Sequence, residues 1–281
     1  MPAIELQRLN NEITQILSQF DQVDRLHGSL VALMERYADW SNKPGQTFFR
    51  NVQLPSYYTP LIVAQRLIQA IKPKCQADPQ TSLELIRKLR TGKYAELRVL
   101  SMQIFALLPV MDAPSAMQYV VEWANSEKEA FLVEELLSAG SAGLRANAPQ
   151  VWLSAVEQWL EDPEVSRQVT GLRAMIASAK DPAFDSLPSL YQLATQPLMK
   201  VPQGTAALLE DLLGEIIRRS PAETSFYLRQ ILLRNPPNQT TRLIRKKLSS
   251  IPSEFQPVLR SLLFNPGATG EKDPNDGSGI R

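Results

Sequence analysis

Cys75 and His27 are the only cysteine and the only histidine among 281 residues, which excludes an internal disulfide and a histidine-rich metal site. A thiolate–imidazole dyad would need the two side chains together. Cys75 falls in IKPKCQADP, whose two prolines suggest a loop, while His27 falls on an early amphipathic stretch, so both read as structural residues. What the chain has in quantity is charge. The formal net charge is only +1, but residues 72–98 hold seven basic side chains against three acidic ones, residues 121–165 two against nine, and residues 216–264 nine against two. Two basic segments could grip a phosphate backbone, since each neutralised phosphate releases a counterion. The residues for that contact are Arg87, Lys88, Arg90 and Lys93 in the first segment and Arg218, Arg219, Arg242, Arg245, Lys246 and Lys247 in the second. The same segregation also serves solubility and lets basic and acidic stretches attract one another. An acidic middle repels DNA unless its carboxylates point away.

The elements that must carry these residues read as helices. In the stretch 81–110, Leu83, Ile86 and Leu89 recur at helical spacing, Thr91-Gly92 interrupts them, and Leu97, Leu100, Ile104, Leu107 and Leu108 resume the period. That is a helical hairpin, and similar pairs follow roughly every 35–45 residues without a fixed consensus, as in HEAT-like arrays. Asp78-Pro79, Asp162-Pro163 and Ser220-Pro221 set a capping side chain before a proline suited to the first helical position. Ser220 and Glu223 have capping-box spacing. Helices are expected at about 3–18, 21–40, 59–72, 79–90, 94–109, 114–126, 128–141, 149–161, 164–179, 184–195, 204–219, 222–234, 238–250 and 254–264, with ends good to about 2–4 residues. No period-two alternation flanked by hairpin turns appears, so no sheet is expected. Residues 41–58 break the period and carry four aromatics, two prolines and a glycine, the composition of an ordered loop that caps the stack or covers a site. Residues 265–281 are small and polar, as in a disordered tail.

Several stretches together resemble the HEAT-like alkylpurine DNA glycosylases, the DNA alkylation repair family of the AlkD type. Tyr94-Ala95-Glu96-Leu97-Arg98 is similar to an early Tyr- or His-x-Glu-x-Arg motif of that family. The segment LLEDLLGEIIRRSPAETSFYLRQIL is similar to its late Arg-rich turn between helices, and Trp159 before Asp162-Pro163 to the tryptophan that opens its catalytic-arginine helix. The resemblance covers residues 79–250. It implies a site in which a carboxylate stabilises positive charge on the sugar during cleavage of a cationic alkylpurine, within aromatic walls. On this alignment the acid falls on Glu134 and the guanidinium on Arg167, while the two tryptophan positions hold Ala130 and Ser166. Glu134 and Glu135 are also expected to lie on the solvated side of their helix, away from the stripe Leu132, Val133, Leu136 and Leu137.

The expectation is therefore an all-α, HEAT-like helical-repeat solenoid, one domain over residues 1–264 with a tail at 265–281. It is expected to be non-catalytic and to bind double-stranded DNA or a protein on its concave face, without cofactor or metal. The alternative is a divergent alkylpurine glycosylase using Glu134 and Arg167. No run approaches the roughly 20 apolar residues of a membrane span, and no signal core opens the chain, so a cytoplasmic location is expected.

Overall fold

The computed structural model describes residues 4–39, 54–109 and 112–264, and among them every regular element is a helix. The chain divides into two compact units, residues 1–156 and 157–281. The expected tail at 265–281 and most of the expected loop at 41–58 lie outside the described residues.

The first unit holds α1 (Leu6–Leu17), α2 (Val23–Arg36), α3 (Leu61–Ala77), α4 (Pro79–Arg90), α5 (Ala95–Phe105), α6 (Ala113–Ser126), α7 (Ala130–Glu135), a π turn at Leu136–Gly140, α8 (Ala142–Asn147) and the first part of α9 (Pro149–Glu161). Packing joins alternate helices as well as some consecutive ones: α1 touches α2 and α3, α2 touches α4, and α3 touches α4 and α5. Each helix thus buries its stripe against two neighbours, which a lone hairpin cannot offer. Asp78 begins α4 as its sequence implies, its carboxylate accepting from Thr81 N at 3.0 Å with Pro79 in the first turn. Asp112 does the same for Ser115 N ahead of α6.

Two expectations fail in this unit. Cys75 is not in a loop: α3 runs through Pro73 to Ala77, because Val63, Leu67, Ile71 and Cys75 form one buried every-fourth stripe that continues past the proline. The expected helix 128–141 is broken, since a π turn inserts an extra residue after Glu135 and α8 follows where none was expected. Two carbonyls of that turn, on Leu137 and Ser138, accept from the buried guanidinium of Arg145, the Ser138 contact at 2.7 Å. Gly140 passes close to α5, where a Cβ would stand 3.5 Å from Met102 Cβ.

Residues 54–59 return to α5 as a strap. Pro55 O accepts from Ala95 N at 3.0 Å, Ser56 Oγ donates to the buried Glu96 carboxylate at 2.5 Å, and Tyr57 stacks on Tyr94 with ring centroids 3.8 Å apart. Tyr57 O also accepts from Asp39 N at 3.2 Å, so the two ends of the segment 40–53 are joined.

The second unit holds the rest of α9, then α10 (Val165–Lys180), α11 (Leu187–Met199), α12 (Ala206–Arg219), α13 (Pro221–Leu233), α14 (Asn238–Lys247), a 3-10 turn at Leu248–Ser250 and α15 (Gln256–Phe264). The same alternation recurs: α10 on α12, α11 on α13, α12 on α14, α13 on α15. Asp162 accepts from Glu164 N at 2.9 Å, making a turn that releases the chain into α10. Ser220 precedes Pro221 at the start of α13, but its side chain makes no cap, so the expected capping box is not formed. Thr224 turns back to the preceding helix, its Oγ1 donating to Ile216 O of α12 at 2.9 Å.

Candidate functional site

Most of the basic residues expected to meet phosphate are already engaged within the protein. On α4, Lys88 is paired with Asp24 of α2, which holds that carboxyl below its usual range. Arg87 donates to Tyr119 OH at 2.9 Å. Arg90 reaches Glu122 at 3.5 Å and lies 5.0 Å above the Trp123 ring; burial lowers its pKa and the glutamate opposes that. Lys93 is exposed. In the second unit, Arg218 pairs with Glu215, while Lys246 and Lys247 share Glu210 at 3.0 and 3.8 Å. Glu210 consequently titrates below the ordinary carboxylate range, Lys246 being the main cause. Arg245 sits 4.7 Å above the Phe264 ring, and Arg242 is exposed.

Arg219 is engaged most fully. Its Nη1 donates to Ser178 O at 3.0 Å and Asp181 O at 2.7 Å, and its Nη2 donates to Phe184 O. The guanidinium thus closes the C-terminus of α10, where carbonyls lack helical partners and a cation is favoured.

The residues aligned with glycosylase chemistry fall in different units of the chain. Glu134 is exposed on α7 in the first unit, and Arg167 stands in the first turn of α10 in the second. Arg167 Nε lies 3.5 Å from Asp162 and 3.4 Å from Glu164, the carboxylates of the turn before its own helix. Glu135 departs from expectation: it is half-buried rather than solvated, accepts from Gln103 Nε2 at 3.3 Å, and burial raises its pKa. Its neighbour in space is α5, and the π turn that follows rotates the later residues away from simple helical register. Trp152 and Trp159 are core residues, 0% and 3% exposed. The motif 94–98 is also structural, since Tyr94 and Glu96 hold the strap while Arg98 binds Gly92 O at 2.9 Å and Glu127 at 3.2 Å.

The feature that sequence reasoning missed is a cleft in the second unit between α11 and α13, with a cavity volume of 620 Å³. Its walls are Pro188, Tyr191, Gln192 and Thr195 on α11, faced by a row on α13 that runs from Ala222 to Ile231, with Arg234 at the end. The floor is braced. The Tyr191 and Tyr227 rings lie 4.9 Å apart, Tyr191 OH bonds to Thr224 Oγ1 at 3.0 Å, and Tyr227 OH to Thr195 Oγ1 at 3.3 Å. Burial pushes both phenols up, so they are neutral hydrogen-bonding groups at ordinary pH. Phe226 stands on the rim at 62% exposure, the most exposed large apolar side chain among the described residues. Asn235, in the left-handed region at φ 51°, ends α13 and leaves Arg234 at the mouth of the cleft. One sequence signal was available: α13 buries Leu228, Ile231 and Leu232 yet also carries exposed Phe226 and Leu233, so its apolar residues exceed one stripe.

No family model matches this chain, and it has no match among curated proteins or solved structures. Among the described residues there is no group of side chains suited to hold a metal ion, and no helix is long and apolar enough to cross a membrane.

Proposed function

We propose that the chain is a non-catalytic helical-repeat protein of HEAT-like organisation that holds a protein partner in the cleft between α11 and α13. The alternation of contacts in both units supports stacked helix pairs. The observation that carries the functional reading is Phe226, 62% exposed beside a rigid pair of tyrosines. An exposed aromatic over a braced cleft is the arrangement of an interface anchor. A phosphate-binding role draws less support, because Lys88, Arg90, Arg218, Lys246 and Lys247 already have acidic partners and Arg219 is spent on carbonyls. A glycosylase using Glu134 and Arg167 draws less still, as Arg167 is held by its local carboxylates.

The test is affinity capture with the tagged full chain from its native source, after chemical cross-linking, comparing the unaltered chain with Phe226→Asp. One stoichiometric protein partner lost in the variant supports the reading. A partner equally retained by Phe226→Asp, or recovery of nucleic acid alone, rejects it.

A further inference from the structure

The row of α13 residues that lines the cleft spans Ala222 to Arg234, about 18 Å at 1.5 Å per residue. That length matches about five or six residues of extended or polyproline chain, at 3.1–3.4 Å each. A folded domain would need a broader face, and a compact small molecule would not use the length.

The chemistry along the row is graded. At one end stands Glu223, exposed in the first turn of α13; at the other stands Arg234, exposed at its last carbonyls. Between them Phe226, Tyr191, Tyr227 and Pro188 offer apolar faces, and Gln192 and Gln230 stand on opposite walls. A carboxamide presents both a donor and an acceptor, which suits it to the N–H and C=O groups of a peptide that makes no internal hydrogen bonds. Flat aromatic faces suit proline rings and other apolar side chains, whose extended backbone loses little entropy on binding.

We infer that this cleft binds an extended peptide segment of the partner protein: proline and apolar residues at its centre, a basic side chain at the Glu223 end and an acidic one at the Arg234 end. This rests on the protein-binding reading above and adds to it the class of ligand and its charge order. Because the tyrosine floor is held by threonines, the cleft is formed before the peptide arrives, and specificity comes from the two terminal charges.

The experiment is selection of a displayed random 12-residue peptide library on the immobilised full chain. A labelled copy of the selected peptide is then titrated against the unaltered chain and against Phe226→Ala, Arg234→Glu and Gln192→Ala, each checked for unchanged helical circular dichroism. The expected result is an enriched motif with basic and acidic positions about five residues apart around a proline-rich or apolar centre. Binding should weaken about tenfold or more in Phe226→Ala, as for a central aromatic anchor. Reselection on Arg234→Glu should replace the acidic position by a basic one. Enrichment of a helical-period motif, or binding indifferent to Phe226 and Arg234, overturns the inference. If no peptide is enriched while the cross-linked partner still depends on Phe226, the extended-peptide inference falls and the protein-binding reading stands. If a labelled twelve-nucleotide oligothymidine binds with the same dependence on Phe226 and no peptide does, the cleft stacks bases and both fall.

Discussion

Arg219 offers the sharpest test of the assignments made from contacts, because it was expected to meet phosphate and instead ties down the end of α10. Substitution by methionine keeps most of the volume and removes the guanidinium. The loss comprises the bonds to Ser178 O, Asp181 O and Phe184 O, together with a cation at a helix C-terminus. Hydrogen bonds to a charged group contribute about 1.5–3 kcal/mol each, but bonds that share one donor group do not add. The site is half-buried, so water replaces part of what is lost. An overall cost of about 2–4 kcal/mol follows. Lysine at the same position keeps the charge but lacks the planar fork, so it should recover less than half. Arg218, next along the chain, is the internal control: it is exposed and paired with Glu215 one turn earlier on its own helix, so Arg218→Ala should cost about 0–1 kcal/mol. Hydrogen exchange read by mass spectrometry resolves the C-terminal amides of α10 from the rest, which matters in a chain with two units. Arg219→Met should lose protection there first. Equal protection in Arg219→Met and Arg218→Ala would refute the reasoning.

Other outcomes follow from packing and charge. A Cβ on Gly171 would stand 2.9 Å from Leu160 Cγ and 3.2 Å from its backbone nitrogen, so Gly171→Ala should cost about 1–3 kcal/mol despite alanine's better helix propensity. Gly28, with nothing within 4 Å of such an atom, should instead gain about 0.5–1 kcal/mol as alanine; urea midpoints separate the two. The raised pKa of Glu135 means that its ionised form is disfavoured by folding. Its contribution is complete below the unfolded pKa and is lost as pH rises through the folded value, so Glu135→Gln should raise stability at neutral pH and hardly alter it in acid. Duplex DNA titrated across a salt series should show only weak association that disappears by physiological salt, and a duplex carrying cationic 7-alkylguanine should release no base; tight, salt-sensitive binding would instead restore the phosphate-binding expectation.

The helices were legible because their signals are local. The Asp78-Pro79 start and two of the three stripe residues, Ile86 and Leu89, are written within a few residues of each other and fold as read, while Leu85 rather than the expected Leu83 completes the buried face. The π turn was not legible, since it depends on Arg145 reaching back to Leu137 and Ser138 and on Gly140 fitting against α5. Cys75 was misplaced because a proline two residues earlier is a strong local signal, and only tertiary burial of the α3 stripe overrides it. The charged segments were counted correctly, but a count does not show partners: Lys88 and Asp24 are 64 residues apart. The cleft was invisible for a related reason. Tyr191 and Tyr227 read as ordinary helix residues until their threonine partners, on the opposite helices, bring them together.

The bond from Asp39 N to Tyr57 O fixes both ends of the segment 40–53 in the first unit, and the strap to α5 fixes the exit a second time. The strap is thereby held from two sides, by the end of α2 through Tyr57 O and by α5 through Pro55 O and Ser56 Oγ. A substitution in the strap at Ser56 or Tyr57 should therefore loosen the end of α2 and the start of α5 together, because one short stretch of chain serves both.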